Sequence, residues 1–124
     1  MKDDRWHIRA ILDYCDSISS DLSLIGDDLE SFMSDRTIQR SCSFSLIQIG
    51  EYARRVSDDT RRKYPVVHWT EIISMGNVIT RNYAHLDLHQ MWYTMTVEVP
   101  ELREKLTGIL KQMDTEFASD VKTL

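Results

Sequence analysis

Proline is scarce in this chain: two in 124 residues, Pro65 and Pro100, alongside only four glycines. Few positions therefore break a helix, and long helical runs are permitted. The two cysteines, Cys15 and Cys42, show no C-x-x-C spacing, so neither a zinc ribbon nor a disulfide scaffold is expected; both fall within helical patterns and read as buried free thiols. No apolar run approaches the roughly 18–20 residues needed to cross a bilayer. Met1-Lys2-Asp3-Asp4-Arg5 leads into polar helix and not into a signal-peptide core, so a cytoplasmic protein without membrane contact is expected. Positive charge is also in short supply. Fifteen Lys and Arg face twenty Asp and Glu, a net charge of −5, which excludes nucleic-acid binding through overall charge and confines any RNA contact to a local patch. An acidic balance leaves room for a protein partner.

What the chain does have is helical periodicity. Ile8, Ile11, Leu12, Cys15, Ile18, Leu22 and Ile25 recur at steps of three and four, forming one stripe of a first helix that Gly26 ends. Asp27-Asp28 opens a short piece carrying Leu29, Phe32 and Met33, closed by Asp35-Arg36. From Thr37 a central helix follows, with Ile38, Cys42, Ser45, Ile49, Tyr52 and Val56 on one stripe. Ser57-Asp58-Asp59 caps a short turn that Pro65 stops, because the residue before proline avoids the helical region. Trp69-Thr70-Glu71 begins the next helix, with Ile72, Met75, Ile79 and Tyr83 on one face. Asp87 caps a last stretch bearing Leu88, Met91, Trp92 and Met95, which Pro100 kinks or restarts before Leu102, Leu106, Ile109, Leu110 and Met113; the polar tail after Phe117 is expected to fray. No strand-like alternation or repeat occurs. The chain length fits one domain over 1–124, and the pattern predicts an all-α antiparallel bundle of four or five helices.

From about Ser41 to Leu106 the order of features resembles the HepT-like toxins of the HEPN superfamily of small helical ribonucleases. The matching pieces are "SLIQIGEYARRVSDD", "YPVVHWTEIISM", "GNVITRNY", "LDLHQMWYTM" and "VPELREKL". The resemblance implies a HEPN-type bundle and a homodimeric, metal-independent RNase, without a cofactor, paired with an MNT-type nucleotidyltransferase antitoxin. The family signature is Arg-Asn, three residues, His, one residue, Tyr. Laid on this chain it begins at position 76, where Gly76 replaces the Arg; Asn77 matches, Arg81 replaces the His, and Tyr83 matches.

Both departures fall on the residues that carry the chemistry. Metal-free RNA cleavage needs a base for the 2′-hydroxyl proton and a cation for the charge developing on phosphorus, roles for a His of near-neutral pKa and an Arg. Gly76 can do neither, and Arg81 stays protonated, so it can hold phosphate but cannot accept a proton. Weak or lost activity is the expectation, through natural divergence or through alteration of the toxin to spare its host. One rescue would be a shifted motif running from Arg81 to His85, at i and i+4 on one helix face.

The resemblance gives Tyr83 a further role as the residue the antitoxin modifies with AMP, and it sets Gly50, Glu51 and His85 along the cleft. Each residue also has a plainer reading. Gly76 and Gly50 suit close helix packing, Tyr83 suits a core edge, Asn77 and Arg81 suit an exposed polar pair four residues apart, and Glu51 suits a solvated face. His85 and His89 have the spacing of a helical metal pair but want a third ligand, so no metal site is expected. Trp69 and Trp92 read as core or dimer-interface anchors. Arg54-Arg55 and Arg61-Arg62-Lys63 read as solvated helix faces and are the only basic clusters that could meet RNA backbone. The alternative to a nuclease is a non-catalytic interaction module that binds a nucleotidyltransferase or a nucleotide.

Overall fold

A computed structural model describes residues 3–123. Four long helices form the frame: α1 (Asp4–Leu24), α3 (Arg36–Arg55), α5 (Trp69–Arg81) and α7 (Val99–Lys122). Three short ones join them: α2 (Leu29–Ser34), α4 (Asp58–Lys63) and α6 (Leu88–Tyr93). No strand occurs among the described residues, and no helix is long and apolar enough to cross a membrane. The expected all-α bundle is observed.

The boundaries follow from local chemistry. Asp3, Asp28, Asp35, Ser57 and Asp87 each accept a backbone N–H two or three residues on, so α1, α2, α3, α4 and α6 start where a short polar side chain satisfies a free donor. After α1, Gly26 and Asp27 take positive φ, +70° and +53°, and the Asp27 N–H returns to the Leu22 carbonyl at 2.9 Å, reversing the chain. Pro100 restarts α7 in its first turn, and the turn before it, Thr94–Glu98, is π-helical. α7 continues as helix past Phe117, through residues that are all exposed. Arg5 lies 3.8 Å from the Phe117 ring centroid and pairs with Asp114 at 3.1 Å, tying α7 to α1 up to Phe117.

α3 is the central element. Its Ile38, Cys42, Leu46, Ile49 and Ala53 are buried, facing Ile8, Ile11, Cys15, Ile18 and Leu22 of α1. α5 packs on α3, and α7 closes over α1. Both cysteines are free and buried, and burial pushes each thiol up to about 12, so neither is a thiolate at neutral pH. Trp69 is a core anchor whose indole N–H donates to the Tyr64 carbonyl at 3.1 Å; the half-buried Trp92 lies 5.5 Å from the Phe32 ring.

Asp4 ties α1 to α4. Its carboxylate accepts from the Ser57 N–H (3.0 Å), the Ser57 hydroxyl (2.5 Å) and the Thr60 hydroxyl (2.6 Å). Burial raises this carboxyl, but the bonds from Ser57 and Thr60 outweigh it and hold the group below its ordinary value of 3.8. A depressed folded value stabilises the fold fully above about pH 4 and progressively less as the pH falls through that value. Asp4→Ala should cost about 1 kcal/mol at neutral pH, as loss of a helix cap does. Denaturant melts should show the gap between the two chains narrowing below about pH 4.

Candidate functional site

α3 and α5 meet at two glycines. A Cβ added to Gly76 would stand 3.2 Å from the Gly50 Cα and 3.5 Å from the Ile47 carbonyl oxygen; one added to Gly50 would stand 3.1 Å from the Gly76 Cα and 3.2 Å from the Ile72 oxygen. The obstacles are backbone atoms that cannot rotate aside. Both residues therefore serve close helix approach, the role expected of Gly50 and the plainer of the two readings of Gly76.

Beyond this crossing the signature residues separate. Asn77 and Arg81, one turn apart on α5, are both exposed, and Arg81 has no ion-pair partner among the described residues. α5 then stops at Arg81. Asn82 caps it, and Tyr83–His85 form a 3₁₀ turn closed by the His85 N–H donating to the Asn82 carbonyl at 2.8 Å. Tyr83 consequently does not continue the stripe of Ile72, Met75 and Ile79; it lies past the helix end with 48% of its surface exposed. The same break separates Arg81 from His85, so the shifted motif lacks the common helix face it would need. It likewise puts His85 on the 3₁₀ turn and His89 on α6, and no group of three His, Cys, Asp or Glu side chains suited to a metal occurs among the described residues.

Glu51 is half-buried and occupied. It accepts from Arg54 at 2.6 Å and pairs with Arg55 at 3.4 Å, and the Arg54 hydrogen bond holds its carboxyl below the usual range. The second basic cluster is engaged too: Arg61 with Asp58 (2.7 Å), Arg62 with Asp59 (2.5 Å) and Lys63 with Glu116 (2.8 Å). Arg54 and Arg55 share one carboxylate, whereas each cation of the second cluster has its own. Unpaired guanidiniums stand instead at Arg81, Arg36 and Arg40, and the last two carried no motif by which sequence reasoning could have singled them out. On α3, Arg40, Phe44, Ile47 and Glu51 follow one another at helical steps, and Phe44 is 54% exposed.

A cavity lies elsewhere. A groove of about 460 Å³ runs between α5 and the α6–α7 segment, taking Met75, Val78 and Ile79 from α5 and Leu46 and Ile49 from α3. Gly76, Asn77, Arg81 and Tyr83 are absent from its walls. At 100° per residue, Asn77 and Arg81 occupy the other flank of α5.

A family model described as Ribonuclease HepT-like matches residues 7–109. The chain belongs to the ribonuclease HepT-like family. Its relatives include a Methanocaldococcus jannaschii protein provisionally named an RNase, 29% identical over 105 residues, covering 84% of this chain and 88% of the relative. A Caldanaerobacter subterraneus protein, also provisionally named an RNase, is 29% identical over 112 residues, 90% of this chain and 98% of its own length. A Thermococcus cleftensis protein provisionally named ribonuclease HepT is 26% identical over 108 residues, 83% and 98% of the two chains. No solved structure matches. The HepT-like match takes in α3, α5 and the whole signature stretch, and it reaches back into α1, beyond the Ser41–Leu106 span that carried the resemblance. Within this HepT-like fold the exposed flank of α5 can bind an anion through Arg81 and donate hydrogen bonds through Asn77, with Tyr83 a further donor past the helix end; α5 itself offers no proton acceptor of near-neutral pKa.

Proposed function

We propose that this chain is the toxin half of a HepT/MNT-type toxin–antitoxin pair, a single-domain cytosolic protein whose RNA-cleaving site has lost its base and one of its cations. The observation that carries the reading is the exposed, unpaired Arg81 one turn from Asn77, in a chain matched to the HepT-like ribonucleases. In the proposal two copies face one another through residues 76–83 across a shared cleft. Arg81 and Asn77 hold phosphate there. Tyr83, half-exposed beyond the helix end, is open to AMP transfer by an MNT-type nucleotidyltransferase, which would add negative charge where RNA phosphate must lie. No metal or cofactor takes part.

The test separates binding from cutting. Fluorescence anisotropy with a labelled single-stranded RNA should report salt-dependent binding by the wild-type chain. Arg81→Ala should weaken it several-fold and reduce the salt slope by about one contact per protomer. RNA binding indifferent to Arg81 would refute the assignment. It would favour the second reading, an interaction module whose polar α5 flank meets a protein or nucleotide.

A further inference from the structure

We infer that the groove between α5 and the α6–α7 segment is a docking site for a basic amphipathic helix of a partner protein. This inference does not rest on the nuclease reading, since the groove and the Asn77–Arg81 flank are different sides of α5. The groove exists because α5 leans on α3 and makes at most glancing contact with α7. Leu46, Ile49 and Met91 form its floor, and Val78 (55% exposed) and Tyr93 (52% exposed) stand at its lips. The π-turn at Thr94–Glu98 supplies part of one wall. An apolar trough between two unpartnered helix flanks is the shape that accepts a helix laid on its apolar stripe.

The rim decides what kind of helix. Glu71, Asp87, Glu98 and Glu101 line it against a single ammonium, Lys105, which is itself paired with Glu101 at 3.0 Å. Glu98 is held by the Thr94 hydroxyl at 2.9 Å, and Glu71 lies 3.4 Å from His68; all four carboxylates belong to exposed residues. RNA phosphate is repelled by such a rim. A second copy is disfavoured as well, because a twofold contact through this face would set the same carboxylates against each other. A segment with an apolar stripe flanked by Lys or Arg meets both the floor and the rim.

The probe is a fluorescein-labelled helical peptide of leucine and lysine, compared with one of identical leucine stripe carrying glutamate in place of lysine. The lysine peptide should bind at least ten-fold more tightly, with amide shift changes gathered at Met75, Val78, Tyr93 and Glu101. Glu71→Lys combined with Glu101→Lys, both exposed positions that leave the core untouched, should abolish that preference. Equal binding of the two peptides, or shifts gathered outside the groove, would overturn the inference. So would groove shifts that grow with protein concentration alone, which would identify a second copy as the occupant, or groove shifts on adding single-stranded RNA. The peptide outcomes do not bear on whether RNA is cut at the other flank.

Discussion

Gly76→Arg combined with Arg81→His should raise cleavage of single-stranded RNA by at least about 10²-fold over the wild-type chain, and expression of that variant should arrest growth. The size follows from restoring a general base, a contribution of about 10²–10⁴-fold, together with a cation on the developing charge. Arg81 is exposed and unpaired, so its replacement by His disturbs no contact in the fold. Gly76→Arg is different. Its Cβ alone would meet the Gly50 Cα at 3.2 Å, and the rest of the side chain needs room between two backbones, so the α3–α5 crossing must open. The strain, about 1–3 kcal/mol or more for overpacking, is only partly offset by about 1 kcal/mol of helix propensity on leaving glycine. A thermal melt of the double variant shows whether it is folded. Arg81→His alone keeps the crossing intact and should give a smaller but measurable gain. A folded double variant that cuts nothing would transfer the weight to the interaction-module reading.

Gly50→Val should destabilise the protein by about 1–3 kcal/mol, lowering the melting temperature on the order of 5–10 °C. Valine's Cβ would stand 3.1 Å from the Gly76 Cα and 3.2 Å from the Ile72 oxygen, and its methyls add bulk where two backbones touch. Gly108 is the matched control. It also lies inside a helix, α7, yet an added Cβ meets nothing within 4 Å. Gly108→Ala should therefore stabilise by about 0.5–1 kcal/mol, the ordinary gain from removing a helical glycine. Opposite signs for the two substitutions in one calorimetric series would establish the α3–α5 crossing as the tight contact.

The helical frame was legible because the information is local. Stripes at steps of three and four, Asp and Ser caps, and the two prolines mark element ends by chemistry that acts within a few residues, and α1, α3, α5 and α7 follow from them. The site was only half legible. Asn77 and Arg81 share a face because α5 is regular through both. Tyr83 and His85 fell outside it, since helical spacing was extended past Arg81 where Asn82 ends the helix and a 3₁₀ turn begins. The pairing of Arg54 and Arg55 with Glu51 was within reach of i, i+3 and i, i+4 arithmetic, whereas Lys63 with Glu116 joins residues far apart in the chain. The α5–α7 groove was not readable at all. It depends on two helices failing to touch, and periodicity reports which face of a helix is apolar without saying what covers it.

The central claim is that a cation which cannot accept a proton stands where catalysis needs a base. Its most direct test is a single-turnover assay, with purified wild-type protein in excess over labelled single-stranded RNA and a chelator present. The account predicts that the RNA is bound and remains intact. Cleavage by the wild-type chain that disappears in His85→Ala or Tyr83→Phe would contradict it, by revealing a working site built from residues beyond the end of α5.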